Sequence, residues 1–301
     1  MRQFPSAPVV SRLAPTPSGF LHLGNAVNFT LTWLLTRRAG GTLHLRIDDL
    51  DRARFRPVYL ANIFQTLTWL GLDYDHGPSG PDDFERHYSQ QPRLAEYEAV
   101  LQTARAAHPA LFYACGCSRT ALARAAAPNG HYPGTCQTLE LPFDAPTIAW
   151  RARVPPATTV TWPDLAQGPQ TVALARALGD FVVRKKDGAA AYQVASVVDD
   201  QRLGVNFIVR GQDLRASTAA QLWLAGLLPD HAGFAQTQFL HHGLLLDVAG
   251  QKLSKSTQTS QQRGILAEAG SPQLVYGTVA ALLGLPPGAG ESLAELVAAA
   301  E

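Results

Sequence analysis

Residues 9–41 read VVSRLAPTPSGFLHLGNAVNFTLTWLLTRRAGG, and this stretch decides the fold class. Its apolar start, Val9–Leu13, predicts a buried strand that enters a tight loop rich in proline and glycine. From Asn25 to Arg38 the apolar residues recur at helical spacing, and Gly40 and Gly41 then supply a stop signal. The stretch therefore predicts a strand, a loop and a helix in that order.

The alternation of strand and helix continues beyond Gly41. Thr42–Ile47 predicts the next strand, and Pro57–Leu70 predicts a crossover helix. Strands joined by helices in this way pair in parallel, with right-handed crossovers. A further helix, predicted over 89–107, leads into the segment that holds all the cysteines of the chain.

The segment 111–175 differs from its surroundings, because it is rich in Pro, Thr and Ala and has only short strand-like pieces such as Ile148–Val154. We interpret it as an insertion, since the alternation then resumes with strands at Phe181–Arg184 and Val205–Arg210 and a helix at Ser217–Leu227. The predicted fold class is α/β, a Rossmann-like parallel-sheet nucleotide-binding domain. Its predicted parts are a first half of the sheet domain at 1–110, the insertion at 111–175, a second half at 176–256 and a short helical C-terminal segment at 257–301.

The composition predicts a folded chain in the cytoplasm. Of the 301 residues, 46% are hydrophobic and 16% charged, which is enough apolar material for one large domain or two modest ones. No run of 18 apolar residues and no secretory leader is present, so neither a membrane span nor export is expected. The net charge of +1 gives nucleic-acid binding no support, and by itself the basic run of Arg46, Arg52, Arg54 and Arg56 indicates a solvated surface.

Two loops far apart in sequence have the chemistry of a phosphate site. Pro17–Asn25 joins a strand to a helix, so its glycines allow close backbone approach and the helix N-terminus favours negative charge. His22 in this loop can donate hydrogen bonds to phosphate oxygens. The second loop, Gly250–Ser256, offers the two ammonium groups of Lys252 and Lys255, which can neutralise a departing pyrophosphate. Taken alone, the first loop is explained equally well as an ordinary strand-to-helix turn, and the second is better explained as a solvated surface loop.

Together the two loops resemble a known family. The residues His22-Leu23-Gly24-Asn25 are similar to the HIGH signature of class I aminoacyl-tRNA synthetases, and Lys252–Ser256 is similar to their KMSKS signature. The two signatures occur in the expected order, each in the expected local context. The resemblance implies an enzyme that activates an amino acid with ATP and Mg²⁺. It also implies catalytic roles for His22, Asn25, Lys252 and Lys255 and contacts to ATP from His22, Gly24 and Lys255.

Three further segments resemble the glutamyl branch of this family. They are 12–19 (RLAPTPSG), 46–51 (RIDDLD) and 209–214 (VRGQDL). A guanidinium binds a carboxylate through two parallel charge-assisted bonds, so two arginines suit a dicarboxylic amino acid. The resemblance implies that Asp48 pairs with the α-ammonium group of glutamate and that Tyr192 adds a hydroxyl. The full set of glutamate-binding residues that it implies is Arg12, Ala14, Thr16, Asp48, Tyr192 and Arg210.

Two positions depart from the family pattern. Asn25 stands where HIGH has its last histidine, and an amide can donate a hydrogen bond but cannot carry charge. Asp48 stands where the family usually has glutamate, so its carboxylate lies one methylene closer to the backbone. Both departures affect the detailed contacts and leave the proposed chemistry in place.

The cysteines predict a structural metal site. All three, Cys115, Cys117 and Cys136, fall within a short segment, and three thiolates with a fourth donor suit tetrahedral Zn²⁺. The alternative to a metal site is three buried cysteines that bind no metal and form no disulfide. Coordination chemistry favours His131 as the fourth ligand because imidazole is the commoner donor. The resemblance instead implies Tyr132, in the pattern Tyr-x-x-x-Cys, and we expect Tyr132 with His131 as the substitute.

The identity of the acceptor is also implied by resemblance. Few residues follow Ser256, too few for the large helical anticodon-binding region of a full glutamyl-tRNA synthetase. The whole chain is therefore similar to the shortened glutamyl-Q tRNA(Asp) synthetases, which activate glutamate without tRNA and attach it to queuosine at the wobble position of tRNA(Asp). The expected partners are ATP, L-glutamate and this tRNA, and a monomer is expected. The alternatives are a truncated enzyme that charges the acceptor end, a non-catalytic glutamate- or ATP-binding paralogue, and a nucleotidyltransferase acting on another acid.

Overall fold

The computed structural model describes residues 8–118, 120–122, 131–244 and 264–301. The strands in this part of the chain are β1 Val10–Leu13, β2 Thr42–Leu45, β3 Phe112–Cys115, β4 Ala149–Ala152, β5 Thr159–Asp164, β6 Gly168–Ala173, β7 Phe181–Arg184, β8 Phe207–Gly211 and β9 Gln238–His242. The helices of eight residues or more are α1 Leu23–Arg38, α2 Pro57–Trp69, α3 Leu94–Ala107, α4 Tyr192–Arg202, α5 Arg215–Ala225, α6 Gln273–Leu283 and α7 Leu293–Ala300. Shorter helical turns lie at Pro81–Asp83, Phe84–Tyr88, Gln91–Arg93, Pro109–Leu111, Leu174–Ala177, Gln212–Leu214, Ala232–Gln236 and Ile265–Glu268. Across these described ranges, no helix combines the length and apolarity needed to span a membrane.

The first strand–helix–strand unit is confirmed. β1 and β2 pair in parallel, with Val10 opposite Thr42 and Leu13 opposite Leu45, and α1 is the connection between them. The observed bounds of β1, α1, β2 and α2 agree with the predicted ones to within two residues. Helix α2 begins at Pro57, a favourable first position because proline lacks the N–H group that would have no helical partner there.

The second half of the chain adds two parallel strands, β8 and β9, next to the pair β1 and β2. β8 pairs with β9, with Phe207 opposite Gln238. The backbone N–H of Asn206 donates to the carbonyl of Val10 at 3.0 Å, and the Ser11 hydroxyl donates to the carbonyl of Phe207 at 2.8 Å. The strands therefore lie in the order β2, β1, β8, β9, and the predicted parallel sheet of an α/β fold is confirmed. Their carboxyl ends share one edge, where open α/β sheets bind their ligands.

A second sheet is antiparallel and consists of β3, β4 and β7. The predicted strand Phe181–Arg184 is confirmed as β7, and it pairs with β4 of the predicted insertion. The hairpin of β5 and β6, also within 111–175, reaches the parallel row through the bridge between Asp164 and Phe239. Strands of the segment 111–175 thus join both sheets, and the division of the chain into domains stays a prediction.

Two helix predictions need correction at their ends. The helix predicted over 89–107 begins at Leu94, because Gln91–Arg93 forms a tighter turn around Pro92 and the residues before it form the wide turn Phe84–Tyr88. Proline cannot continue a helix from the preceding turn. The helix predicted over 217–227 spans Arg215–Ala225. In the C-terminal part, α6 ends at Gly284, whose φ of 67° is a left-handed cap that glycine adopts without strain.

A buried polar link fastens β9 to its neighbours beneath the sheet edge. The Nδ1 atom of His241 lies 2.5 Å from Asp164 Oδ2, and its Nε2 atom lies 2.8 Å from the Thr218 hydroxyl. All three side chains are almost completely buried. Burial raises the pKa of Asp164, but the hydrogen bonds with His241 and with the Gln167 N–H and the charge of His241 together outweigh it, and the net shift is downward. The link connects β5, β9 and α5 and so fixes the position of the helix that packs behind β8.

Candidate active site

A cavity of about 970 Å³ opens at the carboxyl ends of the parallel strands. This volume suits a ligand of the size of a nucleotide with an amino acid. The structure brings a set of predicted site residues from four separate segments to its wall: Arg12, Ala14, Thr16, His22, Gly24, Asn25, Asp48, Tyr192 and Arg210. Lys252 and Lys255 lie outside the described residues, so their approach to this cavity stays a prediction.

The phosphate-type loop leads directly into α1, and His22 is the residue that caps this helix. Its Nδ1 atom accepts a hydrogen bond from the Gly24 N–H at 3.0 Å, and the Asn25 side-chain oxygen accepts one from the His22 N–H at 3.1 Å. Because Nδ1 is an acceptor, a neutral His22 carries its proton on Nε2. A Cβ atom at position 24 would lie 2.9 Å from the His22 ring, so only glycine there lets the imidazole fold back onto the helix.

The N-terminus of α1 also has a favourable electrostatic character for phosphate. The first turn of the helix contains no acidic residue, so its positive end is not neutralised from within. Backbone N–H groups and the helix dipole at such an end attract anions. The loop therefore offers a protonated Nε2 and a helix terminus to the same cavity.

Arg210, near the end of β8, is the most unusual charge in the cavity. It is only 4% exposed, and its Nη1 donates to the side-chain oxygen of Gln221 at 2.9 Å. Its Nε and Nη2 atoms are buried and have no hydrogen-bond partner within the described ranges. Burial lowers the pKa of Arg210 to about 10, which still leaves it protonated at neutral pH. Since Nε–H and Nη2–H lie on the same edge of a guanidinium, this edge is a fork that fits one carboxylate.

Arg12 and Arg46 are joined by one carboxylate that the sequence analysis gave no role. Asp200, from α4, accepts from Arg12 Nε at 2.9 Å and from Arg46 Nη1 at 2.6 Å through the same oxygen. Asp200 is completely buried. The sequence signal for it is the pair of adjacent acids at 199 and 200, directly after the mostly apolar run 194–198 of the helix. The bridge holds the two guanidiniums side by side at the wall of the cavity.

The expectation that Arg46 belongs to a solvated basic run is wrong. Arg46 is 7% exposed, and it binds Asp48 through two bonds, Nε to Oδ1 at 2.7 Å and Nη2 to Oδ2 at 3.0 Å. Burial raises the pKa of Asp48, and the contact with Arg46 offsets this only in part. The other members of the run, Arg52, Arg54 and Arg56, are exposed as expected.

A second buried acid, Asp199, lies next to Asp200 and binds side chains of α3 and of the turn before it. Asp199 accepts from Gln90 Nε2 at 2.7 Å and from the Tyr97 hydroxyl at 2.8 Å, and it contacts the Arg93 guanidinium. Burial raises the pKa of Asp199, but the bonds from Arg93 and the charge of Arg46 outweigh it and the net shift is downward. The network ties α3 and α4 together directly under the arginine pair.

Tyr192 and His242 complete the rim of the cavity. Tyr192 begins α4 and is 47% exposed, so its side chain lies where a ligand would enter. His242, at the end of β9, was not predicted, and its Nε2 lies 3.4 Å from the side-chain nitrogen of Asn28. Burial lowers the pKa of His242, so it is neutral at physiological pH.

The cysteine segment forms a separate compact cluster. The sulfur atoms of Cys115, Cys117 and Cys136 all lie within 4.8 Å of one another. The hydroxyl of Tyr132 lies 3.6 Å from Cys115 Sγ and 3.8 Å from Cys117 Sγ, whereas His131 is not part of the group. Three soft sulfur donors with one oxygen donor close by fit a tetrahedral zinc site.

The surroundings of Cys115 favour its thiolate, the form that binds metal, whereas burial and the contact with Cys136 raise the pKa of Cys117. Burial by itself would raise the pKa of Cys115. Hydrogen bonds from Arg151 and Tyr132 are the main effects that lower it, and the net pKa is about 7. The Arg151 guanidinium also lies 3.7 Å above the Tyr132 ring and so fixes its orientation. Buried Asp180 accepts from the Tyr113 hydroxyl of β3 at 2.7 Å and from the Gln137 side-chain nitrogen at 2.5 Å, which ties the residue after Cys136 to the antiparallel sheet.

Comparison with known proteins gives a consistent set of similarities. Residues 8–301 match the family described as "tRNA synthetases class I (E and Q), catalytic domain". The chain is 40% identical to a glutamyl-Q tRNA(Asp) synthetase of Nitratidesulfovibrio vulgaris, over 92% of this chain and 86% of the relative. It is 42% identical to a protein of the same name from Symbiobacterium thermophilum, over 91% of this chain and 86% of the relative. A glutamate–tRNA ligase 2 of Acidithiobacillus ferrooxidans is 39% identical over 81% of this chain but only 52% of the relative.

Solved structures show the same fold. A glutamate tRNA ligase from Elizabethkingia meningosepticum, in complex with its amino acid, superposes with a TM-score of 0.73 at 22% identity. A glutamate–tRNA synthetase from Elizabethkingia anophelis gives a TM-score of 0.74 at 23% identity. Each match covers 96% of this chain, and the chain spans 64% and 65% of the two longer proteins.

Proposed function

The chain belongs to the family of class I tRNA synthetases for glutamate and glutamine, and on that premise we propose that it activates L-glutamate with ATP and transfers it to queuosine in tRNA(Asp). Activation in this proposal needs no tRNA, and the acceptor is the wobble base. The single observation that carries the choice of glutamate is the buried Nε–Nη2 edge of Arg210, which has no hydrogen-bond partner among the described residues.

The charge balance of the cavity supports an acidic amino acid. Three buried guanidiniums, Arg12, Arg46 and Arg210, are matched by two carboxylates, Asp48 and Asp200. A buried cation without a full counter-charge costs free energy that a bound anion offsets. Glutamate carries a net charge of about −1 at neutral pH, from two carboxylates and one ammonium group. It therefore supplies the missing negative charge, and its side-chain carboxylate fits the Nε–Nη2 edge of Arg210.

The remaining predicted residues take roles around this anchor. Arg12 faces the cavity beside Arg46 and is available to orient the second carboxylate, while Asp48 attracts the α-ammonium group. Because both oxygens of Asp48 already accept from Arg46, the ammonium shares this carboxylate with a guanidinium. Ala14 and Thr16 line the wall next to them, and Tyr192 closes the rim. The cavity thus recognises the amino acid by paired charges rather than by apolar contact.

The proposed first step is an in-line displacement at the α-phosphorus of ATP. An oxygen of the glutamate α-carboxylate forms a bond to phosphorus, and the bond from phosphorus to the bridging oxygen of pyrophosphate breaks. The Nε2–H of His22 and the N-terminus of α1 stabilise the charge that develops on the phosphate oxygens, and Lys252 and Lys255 are assigned to the departing pyrophosphate. Mg²⁺ bound with ATP adds charge compensation.

In the proposed second step a hydroxyl of the queuosine ring attacks the carbonyl carbon of the mixed anhydride. The bond to the phosphate oxygen breaks, AMP leaves, and the hydroxyl proton is lost. The names of two relatives support this acceptor, since both are called glutamyl-Q tRNA(Asp) synthetase and align over 86% of their length. The catalytic demand on the protein in both steps is positioning and electrostatic stabilisation.

The acceptor is tested by transfer of labelled glutamate to three tRNA preparations: tRNA(Asp) with queuosine, tRNA(Asp) without it, and tRNA(Glu). We expect label only on the queuosine-containing tRNA(Asp), because only that molecule offers the ring hydroxyl. Label on tRNA(Glu) would establish a charging enzyme for the acceptor end. Absence of label together with absence of ATP–pyrophosphate exchange would establish a non-catalytic paralogue, and exchange with an acid other than glutamate would establish a different nucleotidyltransferase.

The cysteine cluster is proposed to hold a structural zinc ion through Cys115, Cys117, Cys136 and the Tyr132 hydroxyl. The support is the mutual approach of three sulfurs and one phenol oxygen within a single segment. When bound, zinc would crosslink the segment that contains Cys136 to the end of β3. Four protein ligands would leave no open position for a substrate, which indicates a structural rather than a catalytic site.

The zinc proposal predicts about one metal ion per chain in purified protein, measured by elemental analysis after dialysis. Cys117→Ser is expected to lose most of the metal and to lower Tm, because one of four ligands is removed. Tyr132→Phe is expected to weaken zinc retention against a chelator, and the matched variant His131→Ala is expected to leave it unchanged. The opposite ranking of these two variants would assign His131 as the fourth ligand.

A further inference from the structure

Gln221 is a completely buried residue of α5 that is not among the residues lining the cavity but binds one of them, Arg210. It is 0% exposed, and its side-chain oxygen accepts from Arg210 Nη1 at 2.9 Å. Within the described residues this is the one hydrogen bond that the Arg210 guanidinium makes. A guanidinium has donors only, so the amide must present its oxygen to it. The contact therefore restricts the rotation of the guanidinium and leaves its Nε–Nη2 edge without a partner among the described residues.

The amide of Gln221 is a costly choice for this position. Its nitrogen is buried and has no hydrogen-bond partner in the part of the chain that the structure describes. A glutamate at position 221 would remove this buried donor and pair with Arg210 as a full ion pair. Such an ion pair at Nη1 would neutralise the charge of the guanidinium and weaken its attraction for a ligand carboxylate. A neutral acceptor holds the geometry and leaves the positive charge for the cavity.

Among the described residues, no other side chain supplies this support. The ring centroid of Phe239 lies 5.1 Å from Arg210 Cζ. This contact restricts the tilt of the guanidinium plane but provides no hydrogen-bond acceptor. The acid nearest in the network, Asp200, is engaged by Arg12 and Arg46. In the described ranges no carboxylate forms an ion pair with Arg210.

We propose that Gln221 is a positioning residue for recognition of the glutamate side chain, which holds Arg210 through a neutral acceptor so that its fork stays open and charged. The proposal rests on the proposed function, since it assigns the ligand of that fork as the side-chain carboxylate of glutamate. It makes Gln221 a determinant of the preference for a carboxylate over an amide, although Gln221 itself does not touch the substrate.

The test compares two variants of the full chain, Gln221→Glu and Gln221→Leu, in ATP–pyrophosphate exchange with glutamate and with glutamine. Gln221→Glu keeps an acceptor for Nη1 but adds a negative charge, and we expect KM for glutamate to rise about 10- to 100-fold. We expect KM for ATP and kcat to change by less than about 2-fold, because only ground-state binding of one substrate is altered. The preference for glutamate over glutamine should fall, and Tm should be kept or raised.

Gln221→Leu is expected to raise KM for glutamate as well, by a smaller factor, because the charge of Arg210 remains while its orientation is lost. This variant should lower Tm, since Nη1 loses its acceptor. Gln170→Glu is the matched control: it changes another buried glutamine, on β6, whose nitrogen donates to backbone carbonyls away from the cavity. It is expected to lower Tm without changing KM for glutamate.

Two results would overturn the positioning role. One is an unchanged KM for glutamate in both Gln221 variants, and the other is a parallel rise in KM for ATP, which would show general damage to the site. Glutamate affinity measured by calorimetry in the same proteins separates this role from the proposed reaction. An inactive wild type that binds glutamate, with binding weakened in Gln221→Glu, would refute the proposed activity and support the role of Gln221. A wild type that does not bind glutamate would overturn both.

Discussion

Arg210→Gln is expected to lower kcat/KM for glutamate on the order of 10²- to 10³-fold in ATP–pyrophosphate exchange. The variant replaces the charged fork by a shorter, neutral polar side chain, so the carboxylate of the substrate would enter a buried site without a cationic partner. Arg210 is 4% exposed, which prevents water from replacing the lost bonds. We expect KM for ATP to stay close to that of the wild type, since the phosphate-type loop is on a different strand–helix connection.

Arg210→Lys and Arg184→Gln serve as companions to this variant. Lysine keeps the charge but not the planar fork, so its activity is expected to fall between those of the wild type and Arg210→Gln. Arg184 lies on β7, where its Nε contacts Glu98 at 2.6 Å, and its replacement controls for loss of a half-buried arginine elsewhere. Wild-type kcat/KM for glutamate in Arg210→Gln would remove the basis for assigning the side-chain carboxylate to this residue.

His22→Ala and His22→Asn are both expected to slow adenylate formation by about 10²- to 10³-fold, because each removes the Nε2–H donor. They differ in what happens to helix α1. The Nδ1 atom of His22 caps this helix by accepting from the Gly24 N–H, and an asparagine oxygen at the same position can accept that bond. Only His22→Ala should therefore lose the cap, at a cost of about 1 kcal/mol in the free energy of unfolding.

The measurements are single-turnover formation of glutamyl-adenylate and thermal unfolding of the same preparations. A drop in rate shared by both variants, with a drop in Tm confined to His22→Ala, separates the catalytic donor from the cap. Recovery of the wild-type rate in His22→Asn would show that His22 acts only by capping helix α1 and does not act as a catalytic donor. Equal KM values for glutamate in all three proteins are expected, since His22 lies in the phosphate-type loop rather than beside Arg210.

The sequence by itself determined the local pieces of this protein. The strand, loop and helix of residues 9–41 form as their apolar spacing and glycine signals predicted, because these patterns act over a few residues. The same is true of the next strand and crossover helix and of the cysteines, which already lie within one short segment. The resemblance to class I synthetases added the site residues, and the structure places nine of them at one cavity while the two lysines lie outside its described residues.

Only the tertiary structure decided the environment of the charges. Arg46 has the same pattern in sequence as its exposed neighbours, yet it is buried because Asp200, 154 residues further along the chain, packs against it. Arg12 meets the same carboxylate across 188 residues. The neutral support of Arg210 by Gln221 likewise depends on how α5 packs behind β8. Local periodicity specifies which face of an element is apolar, but the energy of a buried charge depends on the partner that packing brings to it, and no local pattern contains that partner.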